Sequence, residues 1–393
     1  MDAMTRTAVI VDAVRTPSGR GKPGGALSGI HPVDLSAAIL SAVRERNGLG
    51  PGDVDDVLWG CVSQVGEQSG NIARHAVLAA GFDETVPATT IDRQCGSSQQ
   101  AAHFAAQGVM VGQYDIVIAG GVESMSRVPL GVSASVAGSP VSPALRARYP
   151  EGLVNQGVSA ELIAQRWGFT RQDLDAYAVE SHSRAAEAAA EARFDEVLLP
   201  VGGVARDETV RAGTTMAALG ALSPSFRTDA LAARFPEIDW KITPGNSSPL
   251  TDGASAVLIM SEEKAQELGL TPRARFHAFT VTGDDPLMML TGPIPATRRI
   301  LERSGLTIDD LDVYEVNEAF ASVPLAWAAE LGADAAKLNP WGGAIALGHA
   351  LGSSGTRLLG TMLAYLEATG GRYGLQTMWE GGGMANATII ERL

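Results

Sequence analysis

The chain has 393 residues, enough for two or three domains with an ample buried core; 45% hydrophobic but only 5% aromatic content, with 45 glycines, favours close helix–sheet packing over an aromatic-rich β-sandwich. Thirty Lys and Arg against 44 Asp and Glu give a formal charge of −14, which speaks against a nucleic-acid or anionic-membrane partner. Two cysteines make no disulfide framework, the first residues hold no apolar signal core, and no apolar run of about 18 residues occurs, so the expectation is a soluble, cytoplasmic α/β enzyme.

In chain order, Val54-Asp55-Asp56-Val57 leads into the strand-like run Val57-Leu58-Trp59, which ends before the first cysteine, Cys61. A second β-type run, Ala88 to Ile91, breaks through Gly and Ser around Cys95 into an alanine-rich helical stretch. A thiol at the mouth of a helix faces unpaired backbone N–H groups and the positive end of the dipole, which favour thiolate. Cys95 is therefore a candidate nucleophile; an inert buried cysteine is the competing reading. Gly112-Gln113-Tyr114-Asp115 then leads into a strand with Gly120-Gly121.

From about Glu123 to Lys241 the sequence opens with a Ser, Pro and Gly-rich stretch, Val128 to Pro150, and offers a helix capped by Thr170 over Gln172 to Arg193. This reads as an excursion covering a cleft, or as a solvated insertion without a role. Ser248 lies in a turn before a buried strand.

The second half repeats the first. Ile308-Asp309-Asp310-Leu311 echoes Val54 to Val57 at an offset of 254 positions, and the same offset carries Cys95 onto His349, in a Gly-rich turn (Gly342 to Gly352) that opens another helix. Gly371-Arg372-Tyr373-Gly374, leading to Gly381-Gly382-Gly383, matches Gly112 to Gly121 at an offset of 259. Two units of one topology, packed about a two-fold, would bring equivalent turns to one cleft, and a cysteine with a distant histidine is a nucleophile–base pairing. Gly343 to Gly348 has no following Lys, no Gly-x-Ser-x-Gly elbow occurs, and six histidines show no metal-ligand spacing, so a P-loop, an α/β-hydrolase and a metal site are set aside.

Together, Cys95, Gly120 to Ser126, Asn317-Glu318-Ala319-Phe320-Ala321 and Gly342 to His349 make the chain resemble the thiolases nearly end to end, and Gly60 to Gln64 with Arg93 to Ser97 are similar to the actinobacterial degradative members that act on lipids and steroids. The resemblance implies the thiolase fold, an α/β fold of two duplicated halves in a five-layered α/β/α/β/α arrangement with an inserted loop domain. The N-terminal half would be residues 1–122 plus 242–270, the loop domain 123–241 and the C-terminal half 271–393. It implies thiolytic cleavage of a 3-oxoacyl-CoA or the reverse Claisen condensation, with coenzyme A as co-substrate, no permanently bound cofactor, and a homodimer or homotetramer. Cys95 would be the acyl-accepting nucleophile, His349 its activator, Asn317 the holder of a water in the first oxyanion hole, and the N–H groups of Cys95 and Gly381 the second. Ser248 falls where the family contacts pantetheine, and Asn155 and Gln156, the other candidates for substrate contact, occupy positions where many relatives place His and Met in the loop domain.

One departure cuts across this. Thiolases carry a second catalytic cysteine just before the C-terminal glycine turn, and here Trp379-Glu380 precedes Gly381. An indole N–H is a donor with no usable pKa near neutrality, so Trp379 cannot move a proton as an acid or base. Glu380 or an ordered water is the candidate substitute. Trp341 stands where an Asn usually precedes the glycine pair, and Ala350 where Pro follows the histidine. Three readings follow: a working thiolase with an altered proton route, a thiolase-fold protein limited to acylation or hydrolysis, and a non-catalytic acyl-CoA binder.

Overall fold

The computed structural model describes residues 6–136 and 138–393. Ten strands, β1 (Ala8–Arg15), β2 (Gly19–Arg20), β3 (Asp56–Gly60), β4 (Ala88–Ile91), β5 (Ile116–Ser124), β6 (Thr251–Ser261), β7 (Ala274–Gly283), β8 (Val313–Val316), β9 (Tyr373–Glu380) and β10 (Met384–Arg392), join in one sheet. The order is β4-β3-β5-β6-β1-β7-β10-β9-β8, with β2 on β6. The seam between β1 and β7 consists of Val9 opposite Arg275 and Ile10 opposite Ala274. On one side of it the order outward is β1-β6-β5-β3-β4; on the other it is β7-β10-β9-β8, with Leu338 bridged in parallel to Tyr314 in the fifth place.

This is one topology used twice, but in a different register from the one the sequence strings suggest. Val313 opens β8 257 positions after Asp56 opens β3, Tyr373 follows Ile116 by the same interval, and so does Ser354, first residue of the Ser354–Thr369 helix, after Ser97 of the Ser97–Met110 helix. The device kept in both halves is an aspartate that receives the first two N–H groups of a neighbouring strand. Asp55 Oδ2 accepts from Asp115 (2.6 Å) and Ile116 (2.9 Å), and Asp312 Oδ2 accepts from Arg372 (2.6 Å) and Tyr373 (3.0 Å). The offset of 254 matched acidic composition instead of place, and the counterpart of Cys95 is Gly352, three residues beyond His349. Likewise Gly120 and Gly121 lie inside β5, whereas Gly381 to Gly383 form the turn between β9 and β10.

Alternation along the strands builds the layers. In β1, Val9 and Val11 face the outer helices Pro32–Arg46 and Ile72–Ala79, while Ala8 and Ile10 face inward. A bulge between Ile10 and Asp12 inverts the parity, so Ala13 points inward and Val14 outward. The inward faces of both halves close on the Ser97–Met110 and Ser354–Thr369 helices, which share one cluster with Val117, Ile259, Phe276 and Ile390. The outer face of the second half, including Val316, Leu375 and Ile389, packs on helices Pro293–Ser304 and Ser322–Leu331. Five layers result, with two helices buried at the centre.

The Thr170 cap holds as expected: its hydroxyl and the Asp173 carboxylate form a capping box, and the helix runs Arg171–Ala190. It ends three residues before the expected Arg193 because Ala192 adopts a left-handed φ of 58°. Among the described residues no helix is long and apolar enough to cross a membrane.

Candidate active site

Cys95 sits at the head of the central Ser97–Met110 helix, after Gln94 with its left-handed φ of 49° and before Gly96, the N-cap. Ser97 Oγ fixes this turn by accepting from the Arg93 N–H (2.9 Å) and donating to the Gln94 carbonyl (2.6 Å). The side chain is 1% exposed. Burial pushes the thiol pKa up, and the nearby Glu380 carboxylate pushes it the same way. The expectation of a depressed pKa is therefore corrected: the partial charge of a helix end does not offset removal of a thiolate from water beside a carboxylate. At rest the group is a thiol.

His349 is held by contacts to both of its ring nitrogens. Its Nδ1 lies 2.7 Å from Ser354 Oγ, and the same hydroxyl donates to the Ala350 carbonyl (2.8 Å), so Nδ1 carries the hydrogen and donates to Ser354. Nε2 is then a free lone pair, 3.4 Å from Asn317 Nδ2. Burial, and next the Arg357 charge, lower the His349 pKa to about 3, so the imidazole is neutral near neutrality. Among the described residues the buried Asn317 Oδ1 has no hydrogen-bond partner.

The two residues reach one region because their helices meet at the first turn. Thr356 N–H donates to Ser98 Oγ (3.1 Å), and Gly355 lies so close to the Gln99 backbone that a Cβ would collide with it. Among the described residues no hydrogen bond joins Cys95 to His349. Gly381 is drawn in from β9: a Cβ built on it would lie 3.1 Å from Gln94 Oε1, next to Cys95.

Two buried carboxylates that the sequence reading passed over as motif members lock these loops. Glu318 accepts from Tyr177 OH (2.9 Å), Ser181 Oγ (2.7 Å), Asn339 Nδ2 (2.9 Å) and Ile345 N–H (3.2 Å), which ties the Asn317 loop to the Arg171–Ala190 helix and to the turn before His349. Glu123 accepts from the Val62, Ser63 and Gly352 N–H groups (3.0, 3.1 and 3.0 Å) and from Gln68 (2.8 Å), which pins the far side of the His349 loop. Their only sequence signal is a Glu at the end of an apolar strand.

The remaining candidates are placed unequally. Ser248 is half-buried and its N–H donates to the Ala319 carbonyl (2.9 Å), two residues from Asn317. Asn155 is exposed, and its side-chain oxygen caps the Gln156–Arg166 helix by accepting from Val158 N–H (3.1 Å). Gln156 opens that helix, and the following Gly157 packs on Phe226, whose ring meets Phe320 edge-on at 6.0 Å. Trp341 points away from Cys95, against Phe194 and Tyr365. Ala350 holds φ −72°, an angle that proline also takes, so the chain path is the one Pro would give. Trp379 is fully buried in the same apolar cluster as Cys95, stacked on Phe320 at 6.3 Å, with Nε1 unpartnered.

Residues 8–263 match the thiolase N-terminal domain family and residues 270–392 the thiolase C-terminal domain family. The chain belongs to the thiolase family. It is similar to the steroid 3-ketoacyl-CoA thiolase FadA6 of Mycobacterium tuberculosis, 46% identical over all of this chain and 95% of the relative, and to a 3-ketoacyl-CoA thiolase of Vibrio cholerae, 44% identical over 98% and 99%. A crystal structure of the Bacillus anthracis acetyl-CoA acetyltransferase superposes with a TM-score of 0.89 at 35% identity, covering both chains fully. This thiolase is thus an acyltransferase of the two-half fold, as its sequence suggests.

In this thiolase Glu380 is fully buried, and both carboxylate oxygens lack partners. Burial raises its pKa from the usual 4.5 to about 8, while Arg93 works against the rise and Asp92 adds to it. Between those two values the folded chain holds a proton that the unfolded chain releases, so this group's contribution to stability falls as pH rises. Relative to the natural protein, Glu380→Gln should therefore gain stability between pH 5 and pH 9, by up to ~4 kcal/mol. Urea titrations at the two pH values check this; a pH-independent difference would mean that the carboxyl is not held protonated.

Proposed function

We propose that the chain cleaves 3-oxoacyl-CoA esters with coenzyme A, and condenses them in reverse, through an acyl-Cys95 intermediate. The observation that carries the reading is the placement of His349, with Nδ1 2.7 Å from Ser354 Oγ and Nε2 3.4 Å from Asn317 Nδ2. Nε2 takes the Cys95 proton, and the thiolate attacks the 3-oxo carbon. The bond between C2 and C3 breaks to leave the acyl group on sulfur and acetyl-CoA as an enolate. Asn317, through a water, and His349 hold the enolate oxygen; the N–H groups of Cys95 and Gly381 face the oxygen of the acyl carbonyl, an arrangement worth a few kcal/mol per donor. Coenzyme A then takes the acyl group, and Cys95 recovers its proton from His349. Covalent capture splits one exchange between two CoA thiols into two simpler steps.

Coenzyme A enters as a co-substrate, with Ser248 beside its pantetheine arm and Asn155 and Gln156 at the same mouth. Residues 123–241 act as the cover, between a first half of 1–122 plus 242–270 and a second of 271–393. Degradation of lipid 3-oxoacyl-CoA is the favoured direction, supported by the names of the relatives. The exposed edge strand β4 supports assembly into two or four copies. Trp379 and Phe320 crowd the acyl side of Cys95, which favours a small acyl group on the sulfur.

The test is thiolysis of acetoacetyl-CoA and longer 3-oxoacyl-CoA by the natural protein and Trp379→Cys, side by side. Trp379→Cys should be at least about tenfold faster, because it opens the acyl side and adds a thiol acid–base group. A natural protein that forms no Cys95 adduct and cleaves nothing would overturn the proposal.

A further inference from the structure

The two-fold repeat places one carboxylate in each half at the same position, and the two differ in their partners. Glu123 near the end of β5 and Glu380 at the end of β9 are 257 residues apart, the interval that also relates β3 to β8, the start of β5 to that of β9 and the two central helices. Each lies against the loop that precedes a central helix. Glu123 reaches Gly352, the counterpart of Cys95, and is saturated by three backbone N–H groups and the Gln68 amide. Glu380 lies against Gly96, next to Cys95, so closely that a Cβ on Gly96 would collide with Oε1. Yet neither of its oxygens has a partner. Glu123 is thus given four donors, whereas Glu380, like Glu315 of β8, is given none among the described residues; of the two unpartnered glutamates it is Glu380 that lies beside the nucleophile, where a glycine makes room for it.

We propose that Glu380 is the acid–base group for the carbon proton of acetyl-CoA, in the role that Trp379 cannot fill. This rests on the reading of the chain as a working thiolase. During cleavage the protonated Glu380 carboxyl gives its proton to C2 of the departing acetyl-CoA enolate and becomes a carboxylate. The carboxylate then takes the proton of the incoming coenzyme A thiol, whose sulfur attacks the acyl-Cys95 carbonyl and displaces the Cys95 sulfur. Cys95 and His349 exchange only their own proton, so the cycle closes with Glu380 protonated again. The groups that face Glu380 are Cys95, Gly96, Arg93 and Asp92 on the preceding loop, and the raised carboxyl pKa is in keeping with a proton held at rest.

The test compares the natural protein, Glu380→Gln, Trp379→Cys and the Trp379→Cys/Glu380→Gln double variant. Three quantities are read: thiolysis of acetoacetyl-CoA, exchange of the acetyl-CoA methyl hydrogens with deuterium oxide, and acetylation of Cys95 by p-nitrophenyl acetate followed by intact mass. Glu380→Gln should lose about 10²–10⁴-fold in thiolysis and in hydrogen exchange, while Cys95 acetylation by p-nitrophenyl acetate, whose nitrophenolate leaves without taking a proton, needs only the Cys95–His349 proton and stays within about threefold. In the Trp379→Cys background the same substitution should cost less than about tenfold, because the new thiol takes over the carbon proton. Natural rates in Glu380→Gln, equal loss of all three activities, or a loss undiminished by Trp379→Cys would each overturn the assignment. A natural protein that acetylates Cys95 but neither exchanges methyl hydrogens nor cleaves substrate would overturn it too. One that does none of the three would instead overturn the thiolase reading beneath it.

Discussion

Cys95→Ala abolishes the acyl-enzyme adduct and lowers thiolysis by at least about 10⁴-fold, the scale on which loss of one member of a nucleophile–base unit disables the whole. The reason is chemical, since an alanine methyl offers no electron pair to the 3-oxo carbon. Direct attack by coenzyme A would have to do without the thiol seated among Trp379, Ile345 and Leu358. The substitution removes one sulfur from a packed cluster, so the variant should melt within a few degrees of the natural protein, and the loss cannot be ascribed to unfolding. Intact mass after incubation with acetyl-CoA, together with a thiolysis assay, decides the matter. An Ala variant that turns over within tenfold of the natural rate would return Cys95 to the inert, buried class. Substitution by Ser should fall nearly as far, because burial beside Glu380 penalises an alkoxide more severely than the thiolate it already disfavours.

The sequence carried the outline of this site further than its electrostatics. Cys95 and His349 stand in short motifs with glycines beside them, and such motifs are legible because backbone contacts demand those residues. Gly355 against Gln99 is one such contact, and Gly96 against Glu380 another. The helix from Thr170 was legible through its capping box, and its end was not, because Ala192 takes a left-handed φ without a Gly or Asn to announce it. The duplication was visible but misregistered. Composition matched Asp55-Asp56 to Asp309-Asp310, whereas the fold matches Asp55 to Asp312, and only the paired N–H groups received by each aspartate show it. The sign of the Cys95 pKa shift was also beyond reach, because it depends on burial and on Glu380, 285 positions away in the chain. Ser354 as the orienter of His349, Glu318 as a hub and Glu123 as its counterpart to Glu380 are all long-range or cross-loop facts. No local pattern encodes them.

Glu318→Ala should destabilise the protein by about 3–5 kcal/mol, the range reserved for breaking a buried hydrogen-bonded network. Tyr177, Ser181, Asn339 and the Ile345 N–H all lose their acceptor at once, in a place water does not reach. The damage has a direction. Asn339 also exchanges two hydrogen bonds with Val316, the last residue of β8, and Val316 immediately precedes Asn317. Ile345 lies in the first turn of the short Ala344–Leu347 helix, which leads to Gly348 and His349. Removing Glu318 therefore frees both members of the Asn317–His349 pair while Cys95 stays seated on its own helix. Catalysis should fall in kcat more than in KM, and Cys95 should remain acylable under forcing conditions. Glu318→Gln, which keeps one acceptor oxygen but turns an amide donor toward other donors, should fall between the natural protein and Ala. Urea unfolding gives the stability change, and steady-state kinetics at a temperature where each variant is folded gives the split. If Glu318→Ala unfolds within 1 kcal/mol of the natural protein, the four contacts are not what holds the Asn317 and His349 loops together, and the tie must be sought in Glu123 and the Gly355–Gln99 crossing instead.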